Sequence, residues 1–194
     1  MNAAQLLTKK LLTLKEIIET FREQDIQEFV KMSDHFSTAL SKGGTIFWCG
    51  NGGSAAESTH LAVELIGRFK NNRVSLPSIS LTSDSVAITC ISNDFGFEYI
   101  FSRQLEALAK DGDVLVVLST SGESANILKV LESAQRKNVY TIGLLGKGGG
   151  KAKELCDSSI IVNSNETARI QEIHLLIGHT LCEYSEFALG FEKE

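Results

Sequence analysis

The sequence predicts a three-layer α/β sandwich, in which a mainly parallel five-stranded sheet lies between helices, with a helical pair added at the N-terminus. Five short apolar runs are separated by segments of helical periodicity. The runs are continuously apolar rather than alternating, which is typical of strands buried on both faces of a parallel sheet. The 194 residues contain a single Pro and no linker-like tract, so we expect one domain over residues 1–194.

The first 43 residues have the periodicity of two amphipathic helices. Apolar residues at helical spacing mark the first helix at Leu6, Leu7, Leu11, Leu12, Ile17 and Ile18, and the second at Ile26, Phe29, Val30, Phe36 and Leu40. Gly43 and Gly44 are predicted to end the second helix, because glycine readily adopts the left-handed conformation that follows a helix.

The remaining segment, residues 44–194, is predicted to form the α/β core. Its strands are predicted at 45–49, 78–82, 113–118, 139–145 and 158–162. Its helices are predicted near 54–69, 84–92, 97–110, 124–138 and 150–155, with a long closing helix over about 166–188. Ligands of such folds bind beyond the carboxyl ends of the strands, where the strand order reverses, so the loops after the strands are expected to form the site.

The composition limits the classes of partner. A net charge of −5 gives no electrostatic reason to expect nucleic acid or an anionic membrane. No run approaches the ~18 apolar residues that cross a bilayer. The four cysteines are scattered without a CxxC pair, which predicts buried, reduced thiols, and the amphipathic N-terminus does not resemble a signal peptide. We therefore expect a cytoplasmic protein.

The loop after the third predicted strand, STSGESAN, is rich in hydroxyl groups. Ser119, Thr120, Ser121 and Ser124 supply four hydroxyls in six residues, and Ser124 stands where it can cap the following helix. One cap needs only one hydroxyl, and a helix N-terminus with free N–H groups attracts anions. The loop therefore predicts a phosphate site rather than an ordinary capped turn, and without GxxxxGK[ST] it does not predict a nucleotide triphosphate site.

Two glycine-rich loops follow other predicted strands. GNGGSA, after the first strand, satisfies the weak dinucleotide pattern GxGxxA, but the acidic residue expected about 20 residues on is missing, since Asp84 comes about ten residues too late. A close approach of Asn51, Gly52 and Gly53 to a sugar or phosphate fits this loop better than NAD does. GKGGGK, after the fourth strand, is interpreted as a flexible turn.

His60 and Glu64 are four residues apart on the predicted helix that follows the first glycine loop. Both project from one helical face, about 6 Å apart along the axis. An imidazole and a carboxylate at this spacing can hold one metal ion. The alternative is a surface hydrogen bond between the two side chains. The neighbouring glycine loop and the small residues Ala55, Ala56 and Ala62 favour the metal site.

The closing helix contains a second set of donors, in ARIQEIHLLIGHTLCEY. Gln171 and His179 are about 12 Å apart along the axis, so both reach one zinc from a single chain only with nearly extended side chains. Gln171 with His174 fits one helical face better, and in a further alternative Gln171 or His179 meets the first helix of a neighbouring subunit. For Glu172 and His174 a structural or surface role is preferred.

A further polar pair, Asn93 and Asp94, stands before Phe95 in the stretch NDFGFEYIFSRQ. The default expectation is that Asp94 caps the next helix. The alternative is that it binds a sugar hydroxyl.

Five motifs taken together resemble those of the phosphoheptose isomerases of the sugar isomerase (SIS) domain superfamily. The motifs are CGNGGS, HLAVELIGRF, NDFGFEYIFSRQ, LSTSGESAN and RIQEIH with a following His, in order over nearly the whole chain. The resemblance implies the SIS fold. It also implies conversion of sedoheptulose 7-phosphate to D-glycero-D-manno-heptose 7-phosphate, an early step toward bacterial surface polysaccharide. The implied assembly is a homotetramer with active sites at subunit interfaces, in which residues 1–43 are used for packing.

The resemblance also implies roles for individual residues. The implied zinc ligands are His60, Glu64, Gln171 and His179. The implied substrate contacts are Asn51, Gly52, Gly53, Glu64, Asn93, Asp94, Ser119, Thr120, Ser121, Ser124 and Gln171. Isomerisation through an enediol needs a base that moves a proton between C1 and C2, for which we choose Glu64, and a group that serves the oxygens, for which His179 is suited. Zinc would polarise the carbonyl.

One position departs from the family pattern. Ala168, three residues before Gln171, stands where the isomerases are expected to have Asp, which puts any acid–base role there in doubt. A related SIS protein that binds the bacterial replication initiator also has Ala at this position, so non-catalytic binding of such a partner is the alternative function. That protein lacks counterparts of Glu64 and His179, both of which are present here, and we therefore predict the isomerase.

Overall fold

Two helices precede the core, as predicted. In the computed structural model, which describes residues 1–191, they are α1 (Ala3–Ile18) and α2 (Glu23–Ser41). Asn2 begins α1 as its cap, because its side-chain oxygen accepts the backbone N–H of Gln5. Helix α2 packs its apolar face into the core, whereas α1 buries only Ile17 within the described chain.

The core alternates strands and helices in the order that the sequence predicts. Its elements are β1 (Ile46–Gly50), α3 (Gly53–Ile66), β2 (Ser78–Ser80), α4 (Ser85–Phe95), a 3-10 turn (Phe97–Tyr99), α5 (Ser102–Leu108), β3 (Val114–Ser119), α6 (Ala125–Arg136), β4 (Tyr140–Gly146), α7 (Ala152–Leu155), β5 (Ser158–Val162) and α8 (Thr167–Ala188). The predicted α/β architecture is therefore confirmed.

The five strands are all parallel, in the order β2-β1-β3-β4-β5. Strands β1 and β3 are buried along their whole length, which accounts for their continuous apolar sequence. Adjacent side chains enter opposite cores, with Phe47 in one hydrophobic cluster and Trp48 in the other. The strand order reverses between β1 and β3, which places the expected ligand site beyond the carboxyl ends of these two strands.

The segment around Phe95 differs from the prediction. Helix α4 continues past the predicted end at residue 92 and stops at Phe95, where Gly96 adopts a φ of 104° that favours glycine. The helix predicted over 97–110 is split into the 3-10 turn and the shorter α5. The prediction that Asp94 caps the next helix is therefore wrong, since Asp94 lies in the last turn of α4.

The four cysteines are free thiols, in agreement with the prediction of reduced cysteines. Cys49 and Cys182 are buried, and burial raises the pKa of Cys182 to about 12. The expectation of burial is wrong for Cys90, which is exposed on α4. Among residues 1–191, no helix is both long enough and apolar enough to pass through a bilayer.

Candidate functional site

The loops that follow β1 and β3 are joined by a reciprocal pair of amide hydrogen bonds. Asn51 Nδ2 donates to Asn126 Oδ1 at 2.9 Å, and Asn126 Nδ2 donates to Asn51 Oδ1 at 2.8 Å. Asn126 is buried at the first turn of α6. It was not among the predicted site residues, although it belongs to the STSGESAN stretch, because a sequence does not show which amide faces which.

A cavity of about 250 Å³ opens where these two loops meet. It is lined by Asn51, Gly52, Gly53, Ser54, Leu118, Ser119, Thr120, Ser121, Ser124, Thr167 and Gln171. The structure thus brings together eight predicted substrate contacts from three separate parts of the chain. Sequence reasoning missed Ser54 and Thr167, whose hydroxyl types are too common in the chain to stand out. The lining is neutral, so an anion here relies on hydroxyls, amides and backbone N–H groups.

Two serines of the loop after β3 shape the turn by accepting backbone N–H groups with their hydroxyl oxygens. Ser119 Oγ accepts the N–H of Gly122 at 3.0 Å, and Ser121 Oγ accepts the N–H of Glu123 at 3.2 Å. Ser124 occupies the predicted cap position of α6, but within the described chain its side chain makes no capping hydrogen bond. That part of the prediction is wrong, and the first N–H groups of α6 are left without this side-chain cap next to the cavity.

The glycine loop after β4, residues 146–151, packs against this turn at Gly122 and Glu123. Gly122 has a φ of +65°, and a Cβ there would lie 1.9 Å from the carbonyl oxygen of Gly149. The N–H of Ala152 donates to the Gly122 carbonyl at 3.0 Å, and that of Lys151 to Glu123 Oε1 at 3.0 Å. GKGGGK is a turn, as interpreted, and its glycines permit a backbone contact that the sequence did not reveal.

His60, Glu64 and His179 form one cluster within a single chain. The Nε2 atoms of the two histidines are 2.9 Å apart, and His60 Nε2 lies 3.4 Å from Glu64 Oε1. One ligand atom from each residue falls within 4.8 Å of the others. Two ligands each about 2.0–2.1 Å from a tetrahedral zinc are roughly 3.3 Å apart, so the donor set and its spacing fit a bound metal ion.

Helix α8 can deliver His179 to α3 because the two helices approach closely at a glycine. A Cβ at Gly178 would lie 2.4 Å from Leu61 Cδ1, which is buried in α3. His179 therefore reaches His60 of its own chain, and the alternative in which it meets a helix of a neighbouring subunit is not needed.

Gln171 lies at the cavity end of α8, over the first residue of α3. Its Nε2 donates to Ser54 Oγ at 3.2 Å, and a Cβ at Gly53 would lie 2.5 Å from the same nitrogen. The alternative pairing of Gln171 with His174 is wrong, because His174 is fully buried near Leu145 on the core side of α8. The role of Gln171 as a metal ligand stays a prediction.

Burial sets the charge state of the histidines on α8. Desolvation lowers the pKa of His179, the neighbouring His60 lowers it further, and Glu64 raises it. The net lowering of the His179 pKa favours the neutral imidazole, which is the form that binds metals. Complete burial lowers the pKa of His174 to about 4, which agrees with the predicted structural role.

Three predicted substrate contacts lie outside this cavity, namely Glu64, which belongs to the cluster with His60 and His179, and two residues of α4. Asn93 and Asp94 are exposed at the end of α4, where Asn93 Nδ2 donates to Asp94 Oδ1 at 2.8 Å. Ala168 is exposed in the first turn of α8, and Glu172 pairs with Arg169 on the surface of the same helix. Within residues 1–191, the structure therefore does not bring Asn93 or Asp94 to the cavity of their own chain.

Comparison with known proteins agrees with this geometry. The SIS domain family profile matches residues 11–146. The phosphoheptose isomerase of a Nitratiruptor species is 56% identical over 144 residues, which are 74% of this chain and 77% of that protein. The phosphoheptose isomerase of Aliarcobacter butzleri is 47% identical over 171 residues, 88% of each chain.

A solved structure extends the similarity to the fold. The phosphoheptose isomerase GmhA from Neisseria gonorrhoeae superposes with a TM-score of 0.89 at 33% identity, over 96% of this chain and 100% of that chain. The chain belongs to the SIS domain family and, within it, to the phosphoheptose isomerases.

Proposed function

We propose that the protein is an aldose–ketose isomerase that converts sedoheptulose 7-phosphate to D-glycero-D-manno-heptose 7-phosphate for bacterial surface polysaccharide. The observation that carries this proposal is the His60–Glu64–His179 cluster on the two helices, α3 and α8, that also line the hydroxyl-rich cavity. The relatives named above are isomerases, which argues against the initiator-binding alternative. A phosphosugar isomerase needs one group of residues to bind the phosphate and another to react with the opposite end of the sugar. The cavity and the cluster are proposed to fill these two roles.

The cavity binds the phosphate in this proposal. Its hydroxyls donate to the phosphate oxygens, and the uncapped N-terminus of α6 adds N–H groups and a favourable dipole. Asn51, Gly52 and Gly53 bind the sugar chain. Fixing the anionic end in this way positions the reacting carbons at the other end of the sugar.

Zinc is the metal that we propose for the cluster. His60, Glu64 and His179 hold it, and Gln171 is the proposed fourth ligand. When bound, the metal polarises the substrate carbonyl and stabilises negative charge on its oxygen.

Protons move between substrate atoms through two side chains. Glu64 removes a proton from C1, so that the C1–H electron pair forms the C1–C2 double bond of the enediol while the C2 oxygen gains a proton. Glu64 then returns its proton to C2, and the C1 oxygen loses its own proton as the aldehyde forms. His179 is the proposed carrier of the oxygen protons: its neutral ring gives its N–H proton to the C2 oxygen and regains a proton from the C1 oxygen. The half-buried position of Glu64, beside the cavity helix α8, suits this exchange.

Assembly would complete the site. Helix α4, which bears Asn93 and Asp94, buries none of its residues within the described chain, and α1 leaves four leucines exposed. We propose a homotetramer in which these surfaces pack and the two α4 side chains serve a site at a subunit interface. Light scattering should then give four times the 21.2 kDa chain mass, and a monomer would reject the assembly. The free cysteines fit a cytoplasmic location.

The base is tested by Glu64→Gln, with Glu183→Gln on the exposed face of α8 as the matched control. We expect kcat for aldose formation from sedoheptulose 7-phosphate to fall by about 10²–10⁴-fold in Glu64→Gln and to stay at the parental value in the control. Binding of inorganic phosphate should survive in both. A Glu64→Gln protein with the parental rate would remove Glu64 as the base, and a parental protein that forms no aldose would reject the isomerase itself.

A further inference from the structure

Glu186, near the end of α8, has a buried carboxylate whose two oxygens both accept hydrogen bonds. Its side chain is 1% exposed. Its two oxygens accept the backbone N–H groups of Phe69 at 3.0 Å, Lys70 at 3.1 Å and Asn71 at 2.9 Å, the Asn71 side-chain amide at 3.1 Å, and Arg73 Nε at 2.8 Å. Although burial alone raises the pKa of this carboxyl, these donors hold the pKa below its ordinary value.

Arg73 connects the same loop to the end of α3. Its guanidinium donates to the carbonyls of Glu64 and Leu65 at 2.8 Å and of Val74 at 2.9 Å, while its Nε pairs with Glu186. One of these carbonyls belongs to a residue of the metal cluster. The segment from residue 67 to residue 73 is therefore tied both to α8 and to the last turn of α3.

This segment places an aromatic ring on a proposed metal ligand. The Phe69 ring lies nearly parallel to the His179 imidazole, with 5.2 Å between centroids and 19° between planes. Within residues 1–191, the only hydrogen-bond contact of the His179 ring joins its Nε2 to His60 Nε2, and either atom can be the donor. A metal-ligating histidine usually has its orientation fixed by a hydrogen bond from its other ring nitrogen, whereas His179 has the Phe69 ring stacked against its face.

We infer that Glu186 and Phe69 are positioning residues for His179. Glu186 gathers the backbone N–H groups of residues 69–71, which sets the Phe69 ring against the imidazole, and the ring holds the His179 Nε2 atom toward His60. The inference rests on the proposed metal site. It gives the buried Glu186–Arg73 pair a second role, the orientation of His179, besides stabilising the segment from residue 67 to residue 73.

Three substitutions separate orientation from folding. Phe69→Leu keeps an apolar side chain but removes the flat ring, whereas Phe69→Tyr keeps the ring. Glu186→Gln keeps the shape but turns an NH₂ group toward groups that are all donors. The matched control is Lys70→Ala, because the Lys70 side chain pairs only with exposed Glu183 on the surface while its backbone N–H, which Glu186 accepts, is retained.

The measurement is the zinc dissociation constant of each zinc-stripped protein, from competition with a chromophoric chelator, alongside circular dichroism to verify folding. We expect Phe69→Leu and Glu186→Gln to bind zinc about tenfold more weakly or worse, and Phe69→Tyr and Lys70→Ala to stay within about twofold of the parental protein. Should Glu186→Gln not fold, the two Phe69 variants decide.

A folded Phe69→Leu protein with parental zinc affinity overturns the inference while leaving the metal site in place. A parental protein that binds no zinc instead rejects the metal site, and the two failures are therefore distinct. A loop that only stabilises the fold would lower the thermal midpoint of Phe69→Leu and Phe69→Tyr without separating their zinc affinities.

Discussion

The histidines of α8 are five residues apart but lie in opposite environments. His179 is partly exposed at the cluster, where a lone pair is available to a metal. His174 has no exposed surface, and within residues 1–191 neither of its ring nitrogens has a side-chain hydrogen-bond partner. The sequence predicted this division of roles only in outline, because the helical face of a residue can be read from spacing, whereas the element that covers the face cannot.

His174 should make stability depend on pH. Its pKa is about 4 in the folded chain against an ordinary value of 6.5, so the unfolded state takes up a proton first and the folded state loses stability as the pH falls from about 6.5 to 4. Between pH 7 and pH 5 the loss attributable to this group is about 2 kcal/mol. The free energy of unfolding of zinc-stripped protein, from urea titrations, should fall over this range more steeply than that of His174→Met. Equal slopes in the two proteins would contradict the assignment.

At the scale of elements, the carboxyl ends of β1 and β3 and the crossing of α3 with α8 create the site. Continuous apolar runs were sufficient to predict the five strands, and the loops after them indeed form the cavity. The close approach of α3 and α8 could not be predicted, because the sequence of one helix shows only that Gln171 and His179 are about 12 Å apart along its axis. The structure lays α8 beside α3, which brings His179 to His60 and leaves Gln171 beside Gly53 and Ser54 at the start of α3.

Gly178 sets the distance between these two helices. Its replacement by Ala would place a methyl group 2.4 Å from Leu61 Cδ1 in a packed interior, which should push α8 away from α3. We expect Gly178→Ala to lower the free energy of unfolding by about 1–2 kcal/mol, because overpacking outweighs the better helix propensity of Ala. Zinc affinity should fall as well, since His179 is the next residue.

Thr180→Ala is the control for this substitution, because it changes the residue on the other side of His179 at an exposed position. It should leave both the unfolding free energy and the zinc affinity near the parental values. If chemical denaturation gives Gly178→Ala the parental free energy of unfolding, the space between α3 and α8 accommodates a methyl group. In that case the close approach of the two helices does not position the cluster.

At the scale of the whole molecule, helices α3 and α8 carry the His60–Glu64–His179 cluster and also line the neutral, hydroxyl-rich cavity. Hydroxyl patterns and the HxxxE spacing indicated both, but only the resemblance to a family connected them to a reaction. The apolar face of α1 is exposed, and α4 buries none of its residues within the described chain. The sequence pattern could not predict what covers these surfaces, since a single chain does not show its partner.

The central claim is that α3 and α8 hold one zinc ion whose presence permits isomerisation of a phosphosugar bound in the cavity. The most direct measurement follows aldose formation from sedoheptulose 7-phosphate by NMR while zinc is added back to the stripped protein. We predict almost no aldose without zinc and a rate that rises to a plateau at one zinc per chain. A protein that carries both His60→Ala and His179→Ala should show no such rise. Stripped protein that forms aldose at the parental rate, or a doubly substituted protein that regains it, would contradict the claim.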